Sequence, residues 1–313
     1  MPRQTDIIDR LEPGSRIAIL RLRSLGDCIL TTPAIDLLHG FRPDLEIGVC
    51  VQTAFAGVFA GNPAVKATFE PAARALRAFD PVLCLNLHGG TRSARLTLLS
   101  GARYRAGFEI FRPGWIYNTP IPTSQEILGI TRRVHTAEHM ASAMFHLGVP
   151  ISEIPRASIY PPEGRSAHGP GGRYAVFHAM AATPEKTWPG AFYMELARYV
   201  SREYGLEPVF IGGPGEDLSQ FQMWRTVSSA PLPELARLMR DASFFVGNDS
   251  GPAHLAAAFG VPELVFFGPS DAEIWSPWKT RHQVLKAEPI HSISVDEACR
   301  AVDRMRIGSK LAI

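Results

Sequence analysis

The sequence predicts an α/β protein built from two doubly wound, Rossmann-like domains that face an interdomain cleft. Its 313 residues suit two domains of about 150 residues each. Short apolar runs alternate with helical segments in both halves, which is typical of parallel sheets covered by helices. The stretch 150–172, rich in proline and glycine, interrupts this alternation. We therefore expect an N-terminal domain over 1–155, a C-terminal domain over 156–293, and a final helix over 294–313 that packs back towards the N-terminal domain.

The composition is that of an ordinary globular protein. Hydrophobic residues make up 46% of the chain and charged residues 20%, which allows a sizeable core. No apolar run reaches the roughly 18–20 residues that span a bilayer, and the first residues lead into no signal-peptide core. We therefore expect a cytoplasmic protein, and the net charge of +2 argues against nucleic acid as a partner. The four cysteines lack metal-site spacing and are expected to be buried thiols.

Strands and helices of the first half are predicted from apolar runs and from helical periodicity. The predicted strands cover 16–22, 47–51, 83–87 and 104–107, and the predicted helices cover 28–39 and 136–147. Ile29, Ala34 and Leu38 lie on one face of the first helix. Residues 108–133 contain prolines, glycines and aromatic residues without a clear period, so we expect irregular structure there.

The second half repeats the alternation. The predicted strands cover 174–178, 208–211, 244–247 and 264–267, and the predicted helices cover 191–204, 217–227, 233–241, 255–259 and 294–305. Gly205 and Gly260 end two of these helices, as glycine commonly does. The sequence therefore predicts a second doubly wound sheet.

The stretch Asn248–His254 is the turn between a predicted strand and a predicted helix, where open α/β sheets bind ligands. Pro252 suits the first turn of a helix, and Gly251 lets a ligand approach the backbone. The helix N-terminus attracts phosphate, and Asp249 and Ser250 add groups that bind hydroxyls. The alternative is that Asp249 or Ser250 only caps the helix.

Gly26 and Asp27 close the first strand of the chain, at the corresponding edge of the first sheet. A carboxylate there can act as a general base. The alternative is that Asp27 is the N-cap of the helix that starts at Cys28.

Two further loops follow strands of the second half. Lys186 can place a positive charge on a phosphate, and Thr183 and Thr187 can donate hydrogen bonds to it. The alternative for Lys186 is a solvated loop lysine. Glu216, after the glycines of 212–215, can bind a ribose or a base edge, or only start a helix.

No metal site and no cofactor are expected. The chain contains no Asp-x-Asp, so a divalent-metal diphosphate site is disfavoured, and positive charge for a leaving diphosphate would come from Lys186 and helix N-termini. His135 and His139 are four residues apart on a predicted helix, but no third ligand is evident, so we interpret the spacing as coincidence.

A basic stretch lies in the first half. Seven arginines face only two acidic residues over 92–133, around the irregular aromatic segment. Arginine binds phosphate and carboxylate groups bidentately, so Arg103, Arg105 and Arg112 are candidate acceptor-binding residues. The alternative is a scattered, solvated set without a joint target.

Three motifs together resemble glycosyltransferase family 9, the ADP-heptose:lipopolysaccharide heptosyltransferases. They are Ile19–Asp27 followed by Thr32-Pro33-Ala34, His178 with Lys186–Pro189, and Asn248–Ala258 followed by Phe267–Ser270. The resemblance spans about residues 16 to 280 and implies a GT-B fold, independence of metal, and inversion at the anomeric carbon.

The resemblance also implies roles for single residues. Asp27 looks like the general base, and Ser24 and Gly26 beside it are expected to contact the acceptor. The implied donor-binding residues are Lys186, Thr187, Glu216, Asp249, Ser250, Gly251 and His254. Of these, Lys186 resembles the diphosphate ligand, Asp249 the donor-sugar contact and Glu216 a nucleoside contact.

The function implied is transfer of a heptose or related sugar from a nucleotide-diphosphate sugar, most simply ADP-heptose, to a hydroxyl of a lipopolysaccharide core or similar glycolipid. Such an acceptor implies peripheral contact with the cytoplasmic face of the inner membrane. Two alternatives remain open, a nucleotide-sugar epimerase of GT-B fold and an inactive sugar-nucleotide-binding module. Donor turnover with and without candidate acceptors would separate the three.

Overall fold

The computed structural model describes residues 5–306, and it divides between Tyr160 and Pro161 into two compact units. The division falls inside the predicted stretch 150–172 but five residues after the predicted limit at 155. The reason is Ser158, which the first unit holds by two hydrogen bonds. Its N–H donates to Thr32 Oγ1 at 2.9 Å, and its hydroxyl donates to Asp36 Oδ2 at 2.7 Å.

The first unit contains a parallel sheet of six strands in the order β3-β2-β1-β4-β5-β6. The strands are β1 Arg16–Leu20, β2 Glu46–Cys50, β3 Ala67–Phe69, β4 Leu83–Asn86, β5 Tyr104–Phe108 and β6 Thr119–Ile121. The chain runs outward from β1 to β3 and then returns to place β4 on the other side of β1. The strand order therefore reverses between β1 and β4, and ligands of open α/β sheets bind beyond the carboxyl ends at such a point.

Seven helices cover this sheet within the described residues. They are α1 Leu25–Ile29, α2 Thr32–Phe41, α3 Thr53–Ala56, α4 Ala73–Phe79, α5 Gly90–Leu99, α6 Ser124–Leu128 and α7 Thr136–Leu147. The single helix predicted over 28–39 is wrong, because it is two helices and starts earlier. Pro33 has no N–H to donate to Ile29, and the Thr32 hydroxyl donates to that carbonyl oxygen instead, at 2.8 Å. The helix consequently breaks between Ile29 and Thr32.

The second unit also contains six parallel strands, in the order β12-β11-β10-β7-β8-β9. The strands are β7 Tyr174–His178, β8 Glu207–Gly212, β9 Arg225–Ser228, β10 Phe244–Asn248, β11 Glu263–Phe267 and β12 His282–Lys286. Its α-helices are α8 Gly190–Tyr204, α9 Leu232–Arg240, α10 Gly251–Ala258, α11 Ala272–Trp275 and α12 Val295–Met305. Here the strand order reverses between β7 and β10, so the carboxyl ends of these two strands mark the expected ligand site.

The helix predicted over 217–227 is wrong. A 3₁₀ turn occupies Ser219–Phe221, and the segment then becomes edge strand β9, paired with β8. Asp217 favours the turn because its carboxylate accepts the N–H and the hydroxyl of Ser219, at 2.8 and 2.9 Å. Further 3₁₀ turns cover Gly114–Ile116, Pro184–Lys186 and Ile290–Ser292.

Helix α12 belongs to the second unit, where it packs on α8 and on β11 and β12. Ser294 and Glu297 start it with a capping box, in which each side chain accepts the other residue's N–H. Residues 307–313 of the predicted final segment lie outside the described residues.

Both units are doubly wound parallel sheets, so the predicted α/β class with two Rossmann-like domains is confirmed. The cores are apolar, and the free thiols of Cys28, Cys50 and Cys84 are buried in the first of them. Within residues 5–306, no helix combines the length and the hydropathy that a membrane span needs.

Candidate active site

The loop that carries Lys186 is fastened to the end of β10 by Asn248. This side chain is fully buried, accepts the Trp188 N–H at 3.0 Å and donates to the Met180 carbonyl at 3.3 Å. Trp188 is itself fully buried and stacks on Phe266 with 4.1 Å between ring centroids. Loss of such an aromatic side chain from a core costs about 3–5 kcal/mol, so the loop is anchored firmly. The backbone of the loop at Glu185 also lies so close to Gly268 that a Cβ there would collide with it.

Lys186 and Asp249 meet at this edge of the second sheet. Lys186 Nζ lies 3.3 Å from Asp249 Oδ2, and the Asp249 side chain is only 10% exposed whereas that of Lys186 is 35% exposed. Lys186 is therefore an ion-paired residue, and the alternative of a merely solvated lysine does not fit the structure. Its exposed ammonium can turn to an incoming anion, while Asp249 keeps its place beside it.

Helix α10 begins with Gly251, directly after Ser250 and with Pro252 in the first turn. Ser250 occupies the N-cap position, but no side chain of the described residues caps the helix through a hydrogen bond. The alternative in which Asp249 or Ser250 caps α10 through its side chain therefore has no hydrogen bond to support it, and the ligand-binding roles of both residues stay predictions. In this turn Pro252 has no N–H, and the Ala253 N–H donates to the Ser250 carbonyl at 3.1 Å. Gly251 therefore supplies the N–H that the turn can offer an anion, and the helix dipole adds to the attraction.

His178 connects the two sides of this site, and the sequence analysis did not propose it as a site residue. It is the last residue of β7, and its side chain is 7% exposed. Nδ1 lies 3.1 Å from Ser250 Oγ, and Nε2 lies 3.3 Å from Glu216 Oε2. A histidine at the carboxyl end of a buried strand was the available signal, but its partners are 38 and 72 positions away.

Glu216 lies in the loop after β8 and starts no helix. Its Oε2 accepts the Gly213 N–H at 2.7 Å as well as the bond from His178. The His178 hydrogen bond is the main reason why the pKa of Glu216 lies below its usual value, so this carboxylate is ionised at neutral pH.

Two of the residues predicted to bind the sugar donor, Thr187 and His254, are less accessible to a ligand. The Thr187 hydroxyl donates to the Thr183 carbonyl at 2.9 Å, so its proton is used inside the loop. His254 is buried in the first turns of α10, with its ring 6.3 Å from that of Trp275. The structure therefore gathers Lys186, Glu216, Asp249, Ser250 and Gly251 at one edge, with His254 beneath them in the helix.

The first unit places Asp27 beside the reversal point between β1 and β4. Asp27 is the third residue of α1, and Oδ2 accepts the N–H and the hydroxyl of Ser24, at 3.3 and 2.8 Å. Arg21 Nη2 donates to Asp27 Oδ1 at 2.8 Å, and Arg21 Nη1 donates to the Leu87 carbonyl at 2.8 Å. The Arg21 side chain is 5% exposed and that of Asp27 25% exposed. Asp27 is therefore not the N-cap but a carboxylate fixed by a buried arginine.

His88 follows β4 and lies on the opposite side of the same reversal point. Asn86 holds the turn, because its Oδ1 accepts the N–H groups of His88 and Gly89 at 3.0 and 3.2 Å. Burial and the nearby charge of Arg21 lower the pKa of His88, so its imidazole is neutral at pH 7. The Phe111 ring lies so close to Gly89 that a Cβ there would collide with it. The predicted strand ended at residue 87, and His88 was not among the predicted site residues.

The aromatic segment after β5 is partly packed. Phe108 and Tyr117 are buried, and Tyr117 accepts the Asn86 amide at 2.8 Å. Ile110 and Trp115 are 64% and 71% exposed, and they flank the exposed Arg112.

The three candidate acceptor arginines do not form one patch. Arg103 precedes β5 and Arg105 is its second residue, so both lie near the amino end of the strand. Arg112 follows the carboxyl end, on the same edge of the sheet as Asp27. The five residues of β5 advance by about 16 Å in total. Arg105 Nε also donates to the Ile116 carbonyl at 2.8 Å, which is a structural contact.

Ser24 and Gly26 differ in their access to a ligand. Ser24 is exposed and its hydroxyl donates to Asp27, whereas Gly26 is buried in α1.

His135 and His139 have separate partners: His135 Nδ1 accepts the Ala137 N–H, and the His139 ring stacks on Phe108. Among residues 5–306, His, Cys, Asp and Glu side chains form no group of three that could hold a metal ion.

Comparison with known proteins gives the same class of protein as the fold and the site. Two Rossmann-like units, one with an uncapped helix N-terminus beside a lysine, define an α/β protein suited to binding a phosphorylated ligand. The sequence model of glycosyltransferase family 9 (heptosyltransferase) matches residues 72–303, more than half of the chain. The chain therefore belongs to this family and is a glycosyltransferase.

Individual relatives agree with the family. Lipopolysaccharide heptosyltransferase 3 of Escherichia coli is 26% identical over 82% of this chain and 84% of its own length. The structure of a family 9 glycosyltransferase from Veillonella parvula superposes with a TM-score of 0.80 at 22% identity, covering 94% of this chain and 98% of that one. The ADP-heptose lps heptosyltransferase II of E. coli gives a TM-score of 0.77 at 18% identity, covering 93% and 98%. These two structures establish similarity of fold.

Proposed function

We propose that the protein transfers a heptose, or a closely related sugar, from ADP-heptose to a hydroxyl of a lipopolysaccharide core acceptor, with inversion and without a metal ion. The observation that carries the proposal is the uncapped N-terminus of α10 beside the Lys186–Asp249 pair, in a member of family 9. The name of the E. coli relative, lipopolysaccharide heptosyltransferase 3, supports the choice of sugar and acceptor.

The donor site follows from the charges at the second sheet edge. The diphosphate lies against the first turn of α10, where Gly251 allows close approach and can donate its N–H to the anion. Lys186 adds a positive charge that stabilises the leaving diphosphate as negative charge develops on it. Asp249 accepts hydrogen bonds from sugar hydroxyls, and Glu216 does the same for the ribose.

Asp27 is the general base of the proposal. A carboxylate offers about four lone-pair positions, and three are used, by Arg21, the Ser24 N–H and the Ser24 hydroxyl. The remaining position can accept the proton of the acceptor hydroxyl as that oxygen attacks the anomeric carbon. The bond to the diphosphate breaks on the opposite face, so the configuration inverts.

The acceptor region is the same edge of the first sheet. Arg112 can bind a phosphate or carboxylate of the lipopolysaccharide core bidentately. The exposed Trp115 and Ile110 beside it suit the interface of a bilayer, where amphipathic rings and arginines are favoured. We accordingly propose peripheral contact of this loop with the cytoplasmic face of the inner membrane.

The direct test is incubation of the purified protein with ADP-heptose and a lipopolysaccharide inner-core acceptor, followed by mass spectrometry. We expect the acceptor mass to rise by one heptose, with EDTA causing no loss of rate and NMR showing the inverted anomeric configuration. Epimerised ADP-heptose with an unchanged acceptor would identify an epimerase instead. Donor binding without turnover would identify an inactive binding module, and a strict Mg²⁺ or Mn²⁺ requirement would overturn the metal-free mechanism.

A further inference from the structure

Three side chains that follow or end three different strands form a hydrogen-bonded series at the N-terminus of α10. Glu216 follows β8, His178 ends β7, and Ser250 follows β10. The imidazole spans the other two, with 3.3 Å from Nε2 to Glu216 Oε2 and 3.1 Å from Nδ1 to Ser250 Oγ. Because β7 lies between β8 and β10 in the sheet, and His178 is buried, the ring is fixed between its partners.

The ionised carboxylate of Glu216 determines which atoms carry protons in this hydrogen-bonded series. Its carboxylate is ionised and accepts the Gly213 N–H, so it can only accept from His178 as well. A neutral His178 must then carry its single proton on Nε2, which leaves Nδ1 as an acceptor. The Ser250 hydroxyl has to donate to Nδ1, or to its other neighbour, the Asn248 carbonyl oxygen at 3.1 Å.

This arrangement does not suit a diphosphate. With its proton directed to Nδ1, Ser250 offers a ligand only lone pairs, and phosphate oxygens are also acceptors. If His178 gains a second proton, Nδ1–H donates to Ser250 Oγ instead. The serine proton is then released to point at a phosphate oxygen, next to the N-terminus of α10.

We infer that His178 is a positioning residue that takes up one proton when a nucleoside diphosphate binds. The Ser250 hydroxyl then gives up its hydrogen bond to Nδ1 and donates to a phosphate oxygen instead. The proton comes from solvent and bonds to Nδ1, and no covalent bond of the ligand changes. This inference rests on the proposed function, because it assumes that the diphosphate of the donor lies at α10.

The surrounding charges favour uptake only when the ligand is present. Glu216 lies on the Nε2 side of the ring. Lys186 and Asp249 form an ion pair in the segments that follow β7 and β10. In the free protein the lysine charge offsets that of Asp249, so among the described residues Glu216 supplies the negative charge at the ring. A bound diphosphate adds further negative charge at Ser250, which stabilises the imidazolium.

Calorimetric titration with ADP at pH 8 tests the inference, since the last phosphate pKa of about 6 lies well below this pH. Repeating the titration in non-phosphate buffers of different ionisation enthalpy measures the protons taken up. We expect a net uptake of a fraction of one proton for the wild type and for His282→Gln. His282 is a matched histidine at the amino end of β12 in the same unit. In His178→Gln we expect ADP to bind more weakly and without uptake.

Ser250→Ala provides a second readout that does not depend on replacing the histidine. At pH 7 the variant should bind ADP several-fold more weakly than the wild type. The ratio of the two Kd values should approach one by pH 9, because Ser250 of the wild type then donates to neutral His178 and not to phosphate.

The results separate this inference from the proposed function. ADP binding without proton uptake in the wild type, or a Kd ratio independent of pH, would overturn the role of His178 while leaving the donor site intact. Failure of ADP to bind at all would overturn the proposed donor, and the inference with it.

Discussion

At the level of single residues, Asp27 serves both as part of the α1 capping box and as the proposed base. Asp27→Asn keeps the size of the side chain but removes the proton acceptor. We expect the transfer rate to fall about 10²–10⁴-fold, the usual contribution of a general base. The affinity for ADP should stay within a few-fold, because the donor groups lie in the second unit. Steady-state kinetics and ADP titration measure the two quantities.

Asp44→Asn is the matched control for the base. Asp44 is also a carboxylate of the first unit that is paired with an arginine, Arg42, at 2.7 Å. It lies two residues before β2, at the opposite edge of the sheet from Asp27. This control should retain the wild-type rate. Wild-type activity in Asp27→Asn would reduce Asp27 to a helix-capping residue.

Lys186 is the residue on which the proposed charge compensation depends. Lys186→Ala removes the ammonium and leaves Asp249, 10% exposed, as an uncompensated negative charge at the phosphate site. Both changes disfavour an anion, so we expect ADP to bind at least about tenfold more weakly, or 1.4 kcal/mol. Lys286→Ala, which removes an exposed lysine at the end of β12, should leave the Kd unchanged. Equal Kd values for both variants would contradict a diphosphate contact by Lys186.

At the level of elements, β5 separates the candidate acceptor arginines, so variants at its two ends can be compared. Arg112→Gln acts on the edge that carries Asp27, and Arg103→Gln acts on the other edge. We expect only Arg112→Gln to raise the KM for the lipopolysaccharide acceptor, several-fold and more strongly at low salt, because phosphate contacts by exposed arginines are screened by salt. The donor KM should not change in either variant. If both variants match wild type at every ionic strength, the arginines form only a solvated surface.

Local pattern predicted the central strands of both sheets but not their edges. Strands such as β1, β4, β7 and β10 are continuous apolar runs, which follow from burial on both faces. The edge strand β9 has the sequence Arg225–Ser228 with three exposed residues, and it exists because β8 offers it hydrogen-bonding partners. Periodicity carries no such information, so this segment was assigned to a helix.

The candidate site was predictable wherever a single segment of the sequence contains the ligand-binding residues. The turn around Asp249 and Ser250 could be located from its strand, its glycine and its proline alone. His178 was found only as part of a family motif and His88 was not found, because the role of each depends on contacts with residues distant in sequence. The same limit applies to the basic stretch, where closeness in sequence did not imply closeness in space.

At the level of the whole molecule, both units fix the loop at their reversal point by the same kind of contact. In each sheet a fully buried asparagine ends the strand at the reversal point, Asn86 on β4 and Asn248 on β10. Each accepts backbone N–H groups of the residues that shape the neighbouring loop. A single buried amide in each unit therefore fixes a loop at the reversal point, the His88–Gly89 turn in the first unit and the Lys186 loop in the second.

Stability of the second unit is affected by a carboxyl group that takes no part in the site. Glu263, the first residue of β11, is fully buried, and within residues 5–306 neither carboxyl oxygen has a hydrogen-bond partner. Burial raises the pKa of Glu263 well above its ordinary value, so the folded protein keeps this group protonated. The unfolded chain loses the same proton near pH 4.3. Above that pH the unfolded state binds fewer protons, and the free energy of unfolding therefore decreases as the pH rises, until the pH reaches the folded-state pKa.

Glu263→Gln removes this titration while preserving the shape of the side chain. We expect the variant to be more stable than the wild type at pH 8, by up to about 1.4 kcal/mol for each pH unit that separates the two pKa values and lies below pH 8. The difference should shrink towards zero at pH 4.5. Denaturant unfolding followed across this pH range measures it, with Glu207→Gln as the control, because Glu207 begins β8 but is exposed and paired with Arg225. A stability difference for Glu263→Gln that does not change with pH would show that Glu263 is ionised in the folded protein and has found a partner.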